Sequence, residues 1–580
     1  MLWFAALAWI LISPALAEEG ELAQARRPGV PPREAPADAP LVVDPTSVPP
    51  PSPALRYEMA PVPDRWRLVD TLGVRDEPWN PYRQSTIKGD RPIGGDYFVN
   101  VSAILDTVYE PRSFPVPVGL QSTGRPGDND AFGRTPSTVL SSNLIFSVAL
   151  IKGDTAFKPP DFELRFTPVV NRSRVEVEEP RLLYADPSRG TTRTDQFVGL
   201  QDAFLDYHLR NVSDRFDFDS IRFGIQPFIS DFRGFLFQDN QLGFRLFGTR
   251  ANNLWQYNVA WFRRLEKDTN SGLNDAWREP RKDDIFALNL YRQDTPVLGF
   301  TSQATLIYNR NREGREDFHY DKNGFLQRPA PIGFERPRDY DVIYGGLSGD
   351  GHLGRMNLTA SAYYAHGRDR FNPFTDEQAD IRAFFAAAEP SIDFDWLRLR
   401  LSGAYASGDR DPYDRRETGF DAIFENPQFA GADTSYWIRQ AIPLIGGGGL
   451  ALSGRNGLLA SLRTSKDEGQ SNFNNPGLVL IGGGADLDLL PELRLSMNAN
   501  RLWFASTKVL DALRMQEGID RSIGWDLSAA LTYRPFLTQN VVLRLSGAML
   551  LPGKGFKELF DSAEGNKRYY SVLTNVVLTY

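Results

Sequence analysis

The sequence predicts an all-β protein, a transmembrane antiparallel β-barrel of about 18 strands behind an N-terminal signal peptide and a Pro-rich periplasmic extension. Three observations carry this. From residue 95 to the end, segments of roughly ten residues alternate apolar and polar side chains, with turn residues between them. The connections between the segments alternate long and short. After the first residues, no stretch reaches the roughly 18 apolar residues that a helical span needs, so any crossing must be made by strands.

Residues 1–17, MLWFAALAWILISPALA, read as a secretory signal. The apolar run Leu2–Ile12 is too short to span a bilayer, and Ala15-Leu16-Ala17 supplies small residues ahead of Glu18-Glu19. Residues 18–63 are rich in Pro and Ala, which fixes φ and removes donors, so they read as an extended linker. Residues 64–94 carry Trp66, Trp79 and Tyr82 among turn residues. They are a periplasmic segment or a partial plug, and their pattern does not choose between an ordered piece and plain linker.

The barrel spans 95–580. In Leu397-Arg398-Leu399-Arg400-Leu401 the leucines share one face and the arginines the other. The same period of two runs through Leu493–Asn498, Ile221–Gln226, Trp255–Phe262, Trp525–Thr532 and Val541–Ser546. Period two alone also suits a soluble sheet. However, the polar set here is small, hydroxylic or singly charged, which suits a wet lumen. The segments lie near 96–108, 140–151, 160–170, 197–210, 218–227, 240–250, 253–265, 283–293, 299–312, 338–348, 354–367, 379–389, 394–407, 477–489, 492–505, 521–534, 538–551 and 567–580. Connections 109–137, 171–196, 313–337, 408–476, 506–520 and 552–566 are long, whereas Gln293–Leu298, Pro390–Asp393 and Leu490–Pro491 are short. A barrel with long outer loops and short inner turns gives this alternation and an even strand number. The final strand places Tyr570, Val572, Val576, Leu578 and Tyr580 on one face and ends on an aromatic. It resembles the C-terminal signal of outer-membrane proteins, which implies that the barrel-insertion machinery reads it.

Composition narrows the function classes. A net charge of −8 over 580 residues offers no basic face for nucleic acid. The absence of cysteine excludes disulfides, thiolate zinc sites and Cys nucleophiles. His208, His319, His352 and His366 fall in no metal-ligand spacing, and no catalytic set or cofactor is expected. His366 near Ser361 lacks anything that selects the pair. Gly446–Gly449 has no following Lys-Ser/Thr and reads as a bendable loop. Asp128-Asn129-Asp130 opens like a calcium loop, but its closing position falls on Val139. Asp409, Asp411 and Asp414 are a candidate cation cluster, with a solvated acidic loop as the plainer reading.

The remaining candidates are charges assigned to the lumen. Arg222, Arg245, Arg382, Arg398, Arg400, Arg494 and Arg544 are the expected pore-lining residues, joined by Arg165 and Arg534. Asp106, Glu163, Asp202, Asp206, Asp486, Asp488 and Asp526 fall on the same inward faces. Either these charges pair across strands and keep the wall rigid, or they set a field that attracts anions. The connection Pro227–Asn240 mixes Phe228, Phe232, Phe235, Leu236 and Phe237 with charges. Folded inward, it would form a constriction presenting Asp231, Arg233 and Asp239; otherwise it packs on the rim.

The stretch IRFGIQPFISDFRGFLFQDNQLGFRLFG resembles a motif of alginate-export-type outer-membrane porins, and LSGAYASGDRDPYD resembles another. The resemblance implies an 18-stranded barrel, with Arg222, Arg245, Arg398 and Arg400 as pore arginines. This sequence departs from that family in its Pro-rich extension and mixed lumen charge. The expected function is a porin in the cell outer membrane, surrounded by outer-membrane lipid and lipopolysaccharide and passing small polar or anionic solutes. The alternatives are export of an anionic polysaccharide and a plugged structural or adhesive barrel.

Overall fold

A computed structural model describes residues 71–580 apart from 116–133, 154–158, 181, 185, 214–216, 269–270, 314–319, 321–323, 325–338, 440–470 and 561–567. The signal, the linker, the loop at Asp128, His319 and Gly446–Gly449 therefore lie outside the described residues. Each of the alternating segments becomes one strand. They are β1 Tyr97–Ser113, β2 Pro136–Lys152, β3 Phe162–Val177, β4 Thr192–Asn211, β5 Phe218–Ile229, β6 Gln238–Arg250, β7 Trp255–Arg263, β8 Asp283–Arg292 and β9 Phe300–Arg312. The second half comprises β10 Asp339–Leu353, β11 Met356–Asp369, β12 Ala379–Phe394, β13 Leu397–Ala406, β14 Leu478–Leu490, β15 Leu493–Trp503, β16 Ser522–Tyr533, β17 Val541–Pro552 and β18 Tyr569–Thr579.

All neighbours pair antiparallel, and β18 returns to β1 from Ile104↔Thr579 to Arg112↔Ser571. The sheet has nineteen members, one of which is the two-residue Arg416–Glu417 lying parallel to β12, which leaves eighteen barrel strands. Closure leaves no long edge to aggregate. Both ends of the barrel sequence lie on the rim with the short turns, taken as the inner rim. The turn between β10 and β11 is only Gly354-Arg355, with Gly354 at φ 64, a conformation that favours glycine.

The outward faces are apolar. Leu399, Leu401, Leu531 and Leu545 stand exposed along the middle of the wall. Tyr97, Phe394, Trp396 and Tyr533 ring its inner end, and Tyr109, Trp261, Phe384, Tyr405, Trp525 and Tyr570 ring its outer end. An exposed apolar wall between two aromatic girdles is stable only in lipid. Among the described residues, no helix is long and apolar enough to cross a membrane. The short helices α1 Tyr436–Arg439, α2 Lys508–Arg514 and α3 Lys554–Phe560 belong to the outer connections.

The buried cluster lies inside the barrel. Phe235, Phe385, Phe420, Tyr344, Trp437 and Phe556 belong to it, and they come from both wall and loops. Some lumen-facing wall positions are thus apolar where a loop folds in to cover them, and the polar ones there bond to the loops.

Candidate functional site: the lumen and its inward loops

Two charged arcs line the wall. The first runs over β3–β7. Arg165 meets Glu163 at 2.6 Å, and Arg222 meets Asp206 at 2.6 Å. Arg245 is the direct cross-strand partner of Arg222. Two cations facing each other repel, yet Arg245 makes no ion pair among the described residues. Its Nε donates to Asn258 at 2.7 Å, and its guanidinium lies 4.7 Å over Phe247. Arg222 lies 4.3 Å over Phe204. The ring faces partly offset the repulsion.

The second arc runs over β12–β17. Arg398 donates to Asp393, Arg400 to Asp486 at 3.1 Å, and Arg494 to Asp488 at 2.6 Å. Arg400 also reaches Asn498 at 3.1 Å, and Arg544 reaches Asp433 on an inward loop at 3.2 Å. Arg398 and Arg494 are about half exposed, and with Asp393 and Asp488 they form the open, inner part of this arc. Arg222, Arg245, Arg398, Arg400, Arg494 and Arg544 all point into the barrel.

Arg382 does not. It shares the outward face of β12 with exposed Phe384 and pairs with Asp380 at 3.3 Å. Its inward neighbours are Ile381, Ala383 and Phe385, all buried. Their apolar character reflects the loops packed on them, so the usual polar-in, apolar-out reading inverts at this strand.

The first inward loop, 230–237, connects β5 and β6. Its entry is fixed by the Ser230 carbonyl, which accepts from Asn289 at 3.4 Å, Gln303 at 2.6 Å and Thr305 at 3.4 Å on β8 and β9. The Asp231 carboxylate accepts from the backbone N–H of Arg233 at 2.9 Å, Phe235 at 3.1 Å and Leu236 at 3.2 Å. The Tyr363 hydroxyl on β11 donates to it at 3.0 Å. Asp231 is only 2% exposed, so it organises the loop instead of facing the pore. Asp239 is likewise occupied, accepting from Lys267 at 2.6 Å and Gln241 at 2.5 Å. Of the three charges expected at a constriction, only Arg233 keeps an open side. It donates to Thr359 at 2.8 Å and to the Gln428 carbonyl at 3.1 Å, with Glu389 at 3.6 Å.

A second inward segment, 418–439, lies against the first. Phe237 and Phe424 pair as a parallel bridge, and Asn426 and Gln428 donate to the carbonyls of Gly234 and Arg233 at 2.9 and 2.8 Å. Gly234, at φ 73, sits where a Cβ would come within 2.7 Å of the Asn426 carbonyl, so the two loops meet only because this residue is glycine. Phe235 packs on Phe385 and Phe429 at 5.0 and 5.3 Å between ring centres. Three wall residues tie the segment down. Glu389 accepts from Ala430 N at 2.9 Å, and Asn500 donates to the Ala430 carbonyl at 3.0 Å. Asp526 accepts from Tyr436 N at 3.0 Å and Trp437 N at 3.1 Å, closing the start of α1. Glu389, Glu110, Asp433 and Arg439 were not among the sequence candidates. A lone carboxylate such as Glu389 after an alanine run was the available signal.

Each of the acidic trio at the root of the longest outer connection turns one oxygen to nearby backbone. Asp409 accepts from Arg410 N at 2.9 Å and from Thr418, Asp411 from Tyr413 N, and Asp414 from Arg416 N. Among the described residues, no group of three carboxylates or histidines is arranged to hold a metal ion.

No protein-family model matches the sequence, and no curated protein does. Solved structures with a similar fold include Pseudomonas aeruginosa OccK9 (OpdG), at 13% identity and TM-score 0.45, covering 83% of this chain and 97% of that one. A BenF-like porin from Pseudomonas fluorescens Pf-5 matches at 10% identity and TM-score 0.44, covering 83% and 98%. Acinetobacter baumannii OccAB3 matches at 10% identity and TM-score 0.43, covering 83% and 99%. Their names are of the Occ, Opd and BenF-like porin kind, and none names an alginate exporter. At this distance the likeness is to a barrel architecture and names no family for this chain.

Proposed function

We propose that the chain is an outer-membrane channel that passes small polar or anionic solutes. The observation that carries this reading is the pair of inward loops. They are fastened to the wall by Asp231, Glu389 and Asp526, and they narrow an eighteen-strand barrel whose own bore would be a wide aqueous pore. A narrowed, charged lumen selects small solutes, because the wall charges act at close range on whatever passes. The open arginines of the second arc and Arg245, which makes no ion pair among the described residues, favour anions, while Asp393, Asp486 and Asp488 temper that preference. Export of a polyanionic chain is disfavoured, since Trp437, Phe235 and Phe420 occupy the space such a polymer would need. Planar-bilayer recording tests the reading. Discrete conductance steps with a modest anion-selective reversal potential are expected. A folded barrel that conducts nothing would instead support the plugged, structural alternative.

A further inference from the structure

We propose that residues 71–95 form an interfacial anchor, a folded segment at the inner rim whose aromatic face inserts into the phospholipid leaflet around the barrel. This rests on reading the barrel as membrane-spanning. The segment is built to hold one shape. Thr86 donates to Asp76 at 2.6 Å, and Lys88 donates to the carbonyls of Asn80 at 2.6 Å and Arg83 at 3.0 Å. It is also fixed to the barrel seam. The Tyr580 hydroxyl donates to the Pro78 carbonyl, the Lys88 ammonium lies 4.9 Å over the Tyr580 ring, and Val101 N on β1 donates to the Ile87 carbonyl at 2.7 Å. Tyr580 belongs to the lipid-facing side of β18, the side that also carries exposed Leu578, Val572 and Tyr570.

A folded segment in water would turn its large apolar side chains inward. This one turns them out. Trp79 is 88% exposed and Leu72 78%, with Tyr82 also exposed. Tyr82 packs edge-on against Phe536 at 6.0 Å, and Phe536 and Leu537, in the turn between β16 and β17, are themselves exposed. The patch is therefore continuous with the inner end of the apolar wall. Trp and Tyr prefer that depth, where the ring is apolar and the polar edge stays wet.

The chain lacks cysteine, so a single introduced one can carry a nitroxide. The full chain bearing Arg75→Cys would be folded into phosphatidylcholine–phosphatidylglycerol vesicles. Collision of the label with a water-soluble nickel chelate and with molecular oxygen would then be measured. Nickel collision is expected to be lower by about threefold or more than for a label at Asp376→Cys in an outer connection, as for a site at headgroup depth. It should recover when Leu72, Trp79 and Tyr82 are all changed to Ser. Nickel access equal to the Asp376 label would overturn the anchor and leave the patch as a surface for a soluble protein. A Leu401→Cys label separates the two readings. If it is oxygen-rich while the Arg75 label is aqueous, only the anchor falls; if it too is aqueous, the membrane-spanning barrel falls with it.

Discussion

Arg439, the last residue of α1, reaches Glu110 on β1, its two terminal nitrogens each 3.3 Å from a different carboxylate oxygen. Both side chains are almost wholly buried, at 6% and 0% exposure. This pair fastens the longest outer connection to the first strand, several strands around the wall from its roots at β13 and β14.

Removing one partner of a buried pair costs about 3–5 kcal/mol where the other charge is left alone, and less here, because Glu110 keeps Arg112 at 4.0 Å. Arg439→Gln is therefore expected to loosen the α1 end of the segment 418–439 while leaving the barrel closed. Single-channel recordings should show noisier and larger open currents, and a protease should cut this segment faster, with unchanged heat resistance of the folded band. The double change Glu110→Gln with Arg439→Gln should be milder than Glu110→Gln alone, because Glu110 sits between two buried arginines. Equal or additive damage would argue against the pair as the fastening.

Asp231 gives a second test. Asp231→Ala leaves three backbone N–H groups and the Tyr363 hydroxyl without their acceptor, whereas Tyr363→Phe removes one donor only. An orphaned buried group costs about 1–3 kcal/mol, and a net hydrogen bond about 1 kcal/mol. Amide exchange at 233–236 should accelerate by about tenfold or more in Asp231→Ala and only severalfold in Tyr363→Phe. Unaltered exchange in Asp231→Ala would remove its organising role.

The lumen charges predict a change of sign. Arg398→Ala with Arg400→Ala leaves Asp393, Asp486 and Asp488 facing fewer cations. The reversal potential in a salt gradient should move toward cation preference. Arg382→Ala, on the lipid side of the same region, should leave it where it was. An equal shift in both variants would mean that the wall assignment does not govern selectivity.

Asp409 predicts pH dependence in the root of the longest connection. Burial pushes its carboxyl up to about 6 from 3.8, and among the described residues the buried Oδ2 has no hydrogen-bond partner. A raised acid means that the folded loop binds the proton more tightly than the unfolded chain does. Its contribution to stability is thus fully present below about pH 4 and is lost as pH rises through about 6. Proteolysis of the loop root should quicken across that window in the native chain and stay flat in Asp409→Asn. A flat native profile would count against it.

The strand framework was legible because a wall between lipid and water forces period two on every crossing, and because outer and inner connections differ in length. What the sequence concealed follows from the loops. Phe384 and Phe385 are adjacent and both apolar, so alternation alone cannot say which faces lipid. Only the docking of Phe235 and Phe420 makes Phe385 the inward one and turns Arg382 outward. Asp231 was legible as a charge in a loop that either folds inward or packs on the rim, yet its role depends on backbone N–H groups, which every residue carries and no pattern marks. Glu110 and Arg439 lie 329 positions apart, and nothing local ties them.

The Tyr436 hydroxyl donates to the Ser113 carbonyl at 2.5 Å, a contact that bridges 323 positions of chain. Ser113 stands at the outer end of β1, beside the start of β18. The seat of the lumen segment is thus complete only once the last strand has met the first. Closing the cylinder and fastening its filling are coupled. A barrel stalled before closure would hold the segment by its ties to β12, β15 and β16, its β1 contacts unmade.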